Sequence, residues 1–234
     1  MKIIIRLLSI FFIGIVILSL SSLGGCSKGR KGDLGTTDET KSDVKVLCEA
    51  YLFDAKLRRE GKQTSFRLEL FVTDSVAGLN GRAYLGKNAL KGRLTADSLT
   101  VFFPHSDEYV AEEIGTLLHS MACLSEGGGL NVLNLLNDLP DTTSLGESFS
   151  VRLNSEKEEE REYSIASDSA QDCNWRLDVT YSKREEEWRP VKLFFTDGNK
   201  HEFTATRREH RPQANISANR FVVNIPGDAG RIIP

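Results

Sequence analysis

The chain has 234 residues, of which 40% are hydrophobic and 27% charged, and its formal net charge is −3. That balance belongs to a folded chain and excludes collagen-like and wholly disordered classes. The slight acidity argues against a general nucleic-acid binder, and the four cysteines are too few for a disulfide scaffold and lack paired zinc spacing.

Residues 1–25 differ from the rest. Lys2 and Arg6 carry their only charges, and an apolar run follows from Leu7 to Leu20. The run is shorter than the roughly 20 residues of a spanning helix and suits the hydrophobic region of a signal peptide. It ends at Leu23-Gly24-Gly25-Cys26, which resembles the bacterial lipobox: an aliphatic residue, two small residues and a cysteine. That resemblance implies that Cys26 becomes the acylated N-terminus, carrying chains such as palmitate, with membrane lipid as its partner. Two or three chains hold a protein stably where one is marginal. Ser27 in place of an aspartate implies, by lipoprotein sorting rules, the outer membrane. The basic stretch Ser27-Lys28-Gly29-Arg30-Lys31 departs from acidic surface-export signals, so a periplasmic-facing position is expected. Residues 26–43 hold one aliphatic side chain, Leu34, and read as a flexible tether. Residues 44–234 then form one domain. Its cysteines, Cys48, Cys123 and Cys173, allow one disulfide or three buried small hydrophobes.

Within the domain, residues 44–58 start as strand or helix. Phe66, Leu68, Leu70 and Val72 alternate with polar residues, which predicts a half-buried strand. Residues 79–85, 89–94 and 98–103 read as further strands. Ile114, Leu117, Leu118 and Met121 then recur at helical spacing, with Glu112 and Glu113 in the first turn. Gly127-Gly128-Gly129 interrupts, and 130–139 reads as a second helix carrying Leu133 and Leu136. These six apolar residues are the candidate lid. Strands are expected again at 148–153, 162–166, 174–182, 187–196, 201–208 and 215–225, with Asp197-Gly198-Asn199 as a hairpin turn. The resulting fold class is mostly β (α+β): a strongly curved antiparallel half-barrel sheet with two or three helices over its concave side.

The chemistry-bearing residues point away from catalysis. His105, His119, His201 and His210 lack metal-ligand spacing, and no nucleophile elbow, phosphate loop or dinucleotide fingerprint occurs. The acidic groups at 156–160 and 185–187 read as solvated hairpin tips. Four Asp-Ser/Thr triplets, at 74, 97, 141 and 168, resemble a bacterial O-glycosylation motif, although turn chemistry explains them as well. No enzyme, metal, cofactor or nucleic-acid partner is implied. What remains is an apolar lining: Phe66, Leu68, Leu70, Leu99, Val101, Trp175, Leu177, Val191, Leu193, Phe195 and Phe221. These residues form a core under the helices, and any surplus forms a cavity for a greasy ligand.

Three stretches carry a family resemblance: "LKGRLTADSLTVFFPHSDEYV" within 81–110, "EWRPVKLFFTDGNKHEFTATRR", and the C-terminal "NISANRFVVNIPGDAGRI". With the lipobox they resemble the LolA/LolB-like superfamily of periplasmic lipoprotein carriers and receptors. The resemblance implies a lipoprotein that binds an acyl chain of lipid or lipoprotein cargo in a half-barrel. The alternative is a non-catalytic lipoprotein that scaffolds an envelope complex. An open apolar concavity favours the first and a filled one the second.

Overall fold

The computed structural model describes residues 44–59, 61–83, 86–114, 116, 132–140, 149–167, 175–196 and 201–232. The expected signal peptide, Cys26 and the expected tether lie outside them, as do Leu117, Leu118, Met121, Cys123, Gly127 to Gly129 and Cys173.

Two antiparallel meanders make up a single sheet. The first runs through β1 (Lys45–Arg59), β2 (Lys62–Val72), β3 (Val76–Ala83), β4 (Asn88–Thr95), β5 (Ser98–Phe103) and β6 (Glu108–Glu113). A short helix α1 (Val132–Asn137) follows. The second meander is β7 (Phe149–Glu156), β8 (Glu160–Ser167), β9 (Arg176–Arg184), β10 (Glu187–Thr196) and β11 (His201–Ser217). A long seam joins them: β1 pairs antiparallel with β11 from Lys45↔Ser217 to Arg59↔His201. The order is β12-β6-β5-β4-β3-β2-β1-β11-β10-β9-β8-β7, so the sheet is open, with β7 and the two-residue β12 (Gly230–Arg231) at its ends. β12 lies parallel to β6, where the Arg231 guanidinium donates to Ala111 O at 3.0 Å and to Glu112 at 2.8 Å.

Period-two alternation decides which face is buried. In β2, Phe66, Leu68 and Leu70 point inward while Arg67 is exposed and Glu69 half-buried; in β9, Leu177, Val179 and Tyr181 point inward. The sheet curls strongly. β5 and β9 stand seven strand spacings apart, about 34 Å in a flat sheet, yet Leu99 and Val101 of β5 and Leu177 and Val179 of β9 line one cavity. The main core fills this concave face.

Three expectations need correction, and one left open is decided. One short α-helix lies wholly among the described residues, fewer than the two or three expected, and Ile114 and Thr116 are also helical. Glu112 and Glu113 close β6 instead of opening a helix, which begins only at Ile114: the β-favouring Tyr109 and Val110 pair with Phe102 and Val101, which outweighs the preference of the two glutamates for a first helical turn. The stretch left open between helix and strand is one strand from Lys45 to Arg59. The expected strand 215–225 stops at Ser217, whose Oγ accepts from Asn219 N and caps a 3-10 helix, Ala218–Phe221. That turn folds Phe221 onto the convex face, where it meets Phe71 edge-on with centroids 6.5 Å apart. A small second core of Cys48, Ala50, Phe71, Ala214 and Phe221 results. Cys48 is a free thiol there, its Sγ 3.6 Å from Ala214 O, and burial pushes its pKa up. Gly78 lets the 3-10 helix approach: a Cβ at that position would stand 2.6 Å from Arg220 O.

The hairpin tips read from sequence are turns. Residues 157–159 close β7 to β8, with Lys157 N donating to Glu160 O at 2.8 Å. β10 and β11 pair antiparallel across 197–200, whose residues lie outside the described ones. Glu185 and Glu186 join β9 to β10 with φ of 48° and 69°. Two consecutive left-handed residues make the mirror-image turn that matches strand twist.

Candidate functional site

The concave face encloses an apolar cavity of about 100 Å³. Its walls come from β2, β3, β4, β5, β9, β10 and β11, and α1 closes it with Leu135 and Leu136. A helix of six residues has no stability of its own in water. Tertiary burial holds it: Leu133, Leu135 and Leu136 are all buried.

Polar groups of the strands fasten the end of α1. A helix leaves its last carbonyls unpaired. Here the Tyr181 hydroxyl donates to Leu135 O at 3.0 Å, and Arg189 Nη1 donates to Asn137 O at 2.8 Å. Arg189 is itself fixed by Glu49, with Nε 2.8 and 2.9 Å from the two carboxylate oxygens. Glu49 also accepts from the Tyr51 hydroxyl and lies 3.0 Å from His210 Nε2. The Tyr51 hydroxyl has one proton and directs it to Glu49, so its 3.5 Å approach to Leu136 O is secondary. His210 stacks on the Tyr51 ring at 4.6 Å. Burial alone would push the Glu49 carboxyl up, but the hydrogen bonds from His210, Arg189 and Tyr51, with the Arg189 charge, hold it down at about 2. The Glu49 and Arg189 side chains are only 17% and 15% exposed. Burial dominates at Tyr181, which stays protonated as a donor.

Of the predicted lining, Phe66, Leu68, Leu70, Leu99, Val101, Leu177 and Leu193 are brought together around the cavity. Trp175 and Phe195 are buried in the same core without lining it. Two residues are corrected. Phe221 belongs to the convex cluster, because the chain reverses at Ser217. Val191 is half-buried and does not line the cavity: it is the extra residue of a bulge between Pro190 and Lys192, which shifts the alternation by one, and Pro190 takes the buried place opposite Tyr181. Of the candidate lid, Leu133 and Leu136 lie on α1, and Ile114 is buried just after β6 with its N–H on Asp97 O at 2.7 Å. The sequence reading missed Leu135, Ala77, Leu79 and Leu94 of the wall, and the whole Glu49–Arg189–His210–Tyr51 cluster. A carboxylate and a guanidinium 140 residues apart leave no local pattern. Among the described residues no group of His, Cys, Asp and Glu could hold a metal ion.

The sequence matches no protein-family model and no curated protein. Among solved structures, the chain is similar to an uncharacterized conserved protein from Thermus thermophilus, with 10% identity, a TM-score of 0.36, and 78% of this chain and 90% of that one covered. It is also similar to a DUF1329 family protein from Desulfovibrio piger, with 9% identity, a TM-score of 0.40, and coverage of 75% and 90%. Both scores are too low to assign the chain to either group.

Proposed function

We propose that this protein is a non-catalytic, outer-membrane lipoprotein that binds the acyl chain of a lipid or lipoprotein, and that its sheet is a half-barrel of the LolA/LolB-like kind. The observation that carries this reading is an apolar concavity, walled by strands of both meanders and closed by a helix too short to stand alone. As it stands the cavity is too small for its ligand. Its about 100 Å³ falls short of the roughly 300 to 1,000 Å³ of typical ligand sites. A long chain enters by replacing the α1 leucines. Three buried leucines contribute about 5–9 kcal/mol at 1.5–3 kcal/mol each, and a methylene about 0.8 kcal/mol, so six to eleven methylenes offset their loss. The reading therefore selects long chains. In it, Cys26 carries the anchor on the periplasmic face, and handover needs only a modest affinity difference between carrier and acceptor. The residual apolar space of about 100 Å³ that the core leaves beneath α1 favours carriage over a scaffolding role.

The test is a fluorescent fatty acid titrated into Leu68→Glu, Leu193→Glu and Arg67→Glu proteins shown to be folded by circular dichroism. A charge inside a dry site loses its hydration, so the first two variants should not bind. Arg67→Glu, on the exposed face, should bind as wild type does. Wild-type affinity in folded Leu68→Glu and Leu193→Glu would overturn the assignment. For the anchor, Cys26→Ala should abolish incorporation of labelled palmitate, and unchanged labelling would refute it.

A further inference from the structure

We propose that Tyr181, the donor to the end of α1, is also the specificity residue for the ligand, and that the site takes a chain bearing a neutral acyl carbonyl, ester or amide, in preference to one that lacks it. This rests on the reading that an acyl chain displaces α1.

Tyr181 is wholly buried and follows Leu177 and Val179 on the inward face of β9, so it sits in the same core just beyond the cavity wall and reaches the wall through Leu135. The Tyr163 ring stands edge-on at 6.0 Å behind it. Its hydroxyl has one described partner, Leu135 O at 3.0 Å. A hydrocarbon that replaced the α1 leucines would restore the apolar contacts and leave this hydroxyl buried without an acceptor, which is costly. Arg189 Nη1 would lose Asn137 O in the same step but keeps Trp188 O at 3.1 Å, and its other nitrogens keep Glu49. Tyr181 is therefore the group that the ligand must satisfy.

The acceptor it loses defines the one it needs. A helix-end carbonyl is a neutral oxygen with a partial negative charge, and an acyl ester or amide oxygen is the same kind of group. A carboxylate is a poorer match. It would bring a full charge into an apolar wall, and the nearby Arg189 charge is already matched by Glu49.

Three probes of matched chain length separate the cases when titrated by calorimetry into the purified full-length protein: 1-palmitoylglycerol, N-palmitoylglycinamide and 1-O-hexadecylglycerol. The last replaces the ester by an ether and so removes the carbonyl. Wild type should bind at least one carbonyl probe fivefold or more tighter than the ether, about 1 kcal/mol at 1.4 kcal/mol per tenfold. Preference for the ester points to glycerolipid cargo and preference for the amide to N-acylated polypeptide. Tyr181→Phe should bring the ratio close to one. Weaker docking of α1 in that variant would raise all three affinities together, and the ratio is blind to it. Equal affinities in wild type overturn the proposal even if Tyr181→Phe does not fold, as does a preference that persists in folded Tyr181→Phe, and both results leave the cavity reading standing. Binding of none of the three removes the cavity reading and this proposal together.

Discussion

Glu49→Gln tests how α1 is held. The substitution keeps the shape of the side chain, replaces one carboxylate oxygen by an amide nitrogen that cannot accept, and leaves Arg189 only the exposed Glu187 as a counter-charge, at 2.9 Å. Removing one partner of a fully buried pair costs about 3–5 kcal/mol. At 15–17% exposure water screens part of that loss, so about 2–3 kcal/mol is expected. For a chain of this size about 1 kcal/mol moves Tm by roughly 2–4 °C, which makes the fall about 4–12 °C. Thermal unfolding followed by circular dichroism reads it directly. The pH dependence gives a second check. The folded carboxyl titrates at about 2, below its ordinary 4.5. Its contribution is therefore fully present above about pH 4.5 and lost as the pH falls toward 2. The gap between wild type and Glu49→Gln should close over that window. Amide exchange should also speed up in α1, because Asn137 O loses an oriented donor. A Tm within 1 °C of wild type at neutral pH, or a gap that stays constant down to pH 2, would refute the argument.

Leu135→Ala should enlarge the cavity and cost about 2–5 kcal/mol while tightening the binding of small apolar probes such as benzene; chemical denaturation and calorimetry read the two effects, and unchanged probe affinity would count against a dry cavity. Gly78→Ala should push the 3-10 helix off the convex face, exposing Phe221 to solvent and the Cys48 thiol to alkylation; a thiol that remains as unreactive as in wild type would contradict the close approach described. Replacing Glu185-Glu186 by Asn-Gly should raise stability by about 1–3 kcal/mol, because left-handed backbone is costly for ordinary residues and suits Asn and Gly; an unchanged Tm would mean that the turn carries no strain.

The cavity wall was legible and its fastening was not, for one physical reason. Burial of one sheet face imposes a period of two, so Phe66-Leu68-Leu70 and Leu177-Val179 declare their side within a few residues. Glu49, Arg189 and His210 have no such period. Each looks like an ordinary charge on a strand until the β1–β11 seam brings them together. Local irregularities account for the other errors. A bulge after Pro190 moves Val191 off the wall, and a cap at Ser217 turns Phe221 to the opposite face. The helical reading of Glu112 and Glu113 failed because helix and strand preferences are weak priors that pairing with β5 overrides.

The seam also orders events while the chain is being made. β1 can pair with β2 almost as soon as it emerges, but its other edge must wait until β11 follows, from Lys45 to Ser217 along the chain. Until then a fifteen-residue strand from the centre of the sheet lies open on one side, a template for any stray strand. Each meander closes by short loops, whereas the seam must bring distant segments together, and such contacts form slowly. The vulnerable species is therefore a half-made sheet whose central seam is still open.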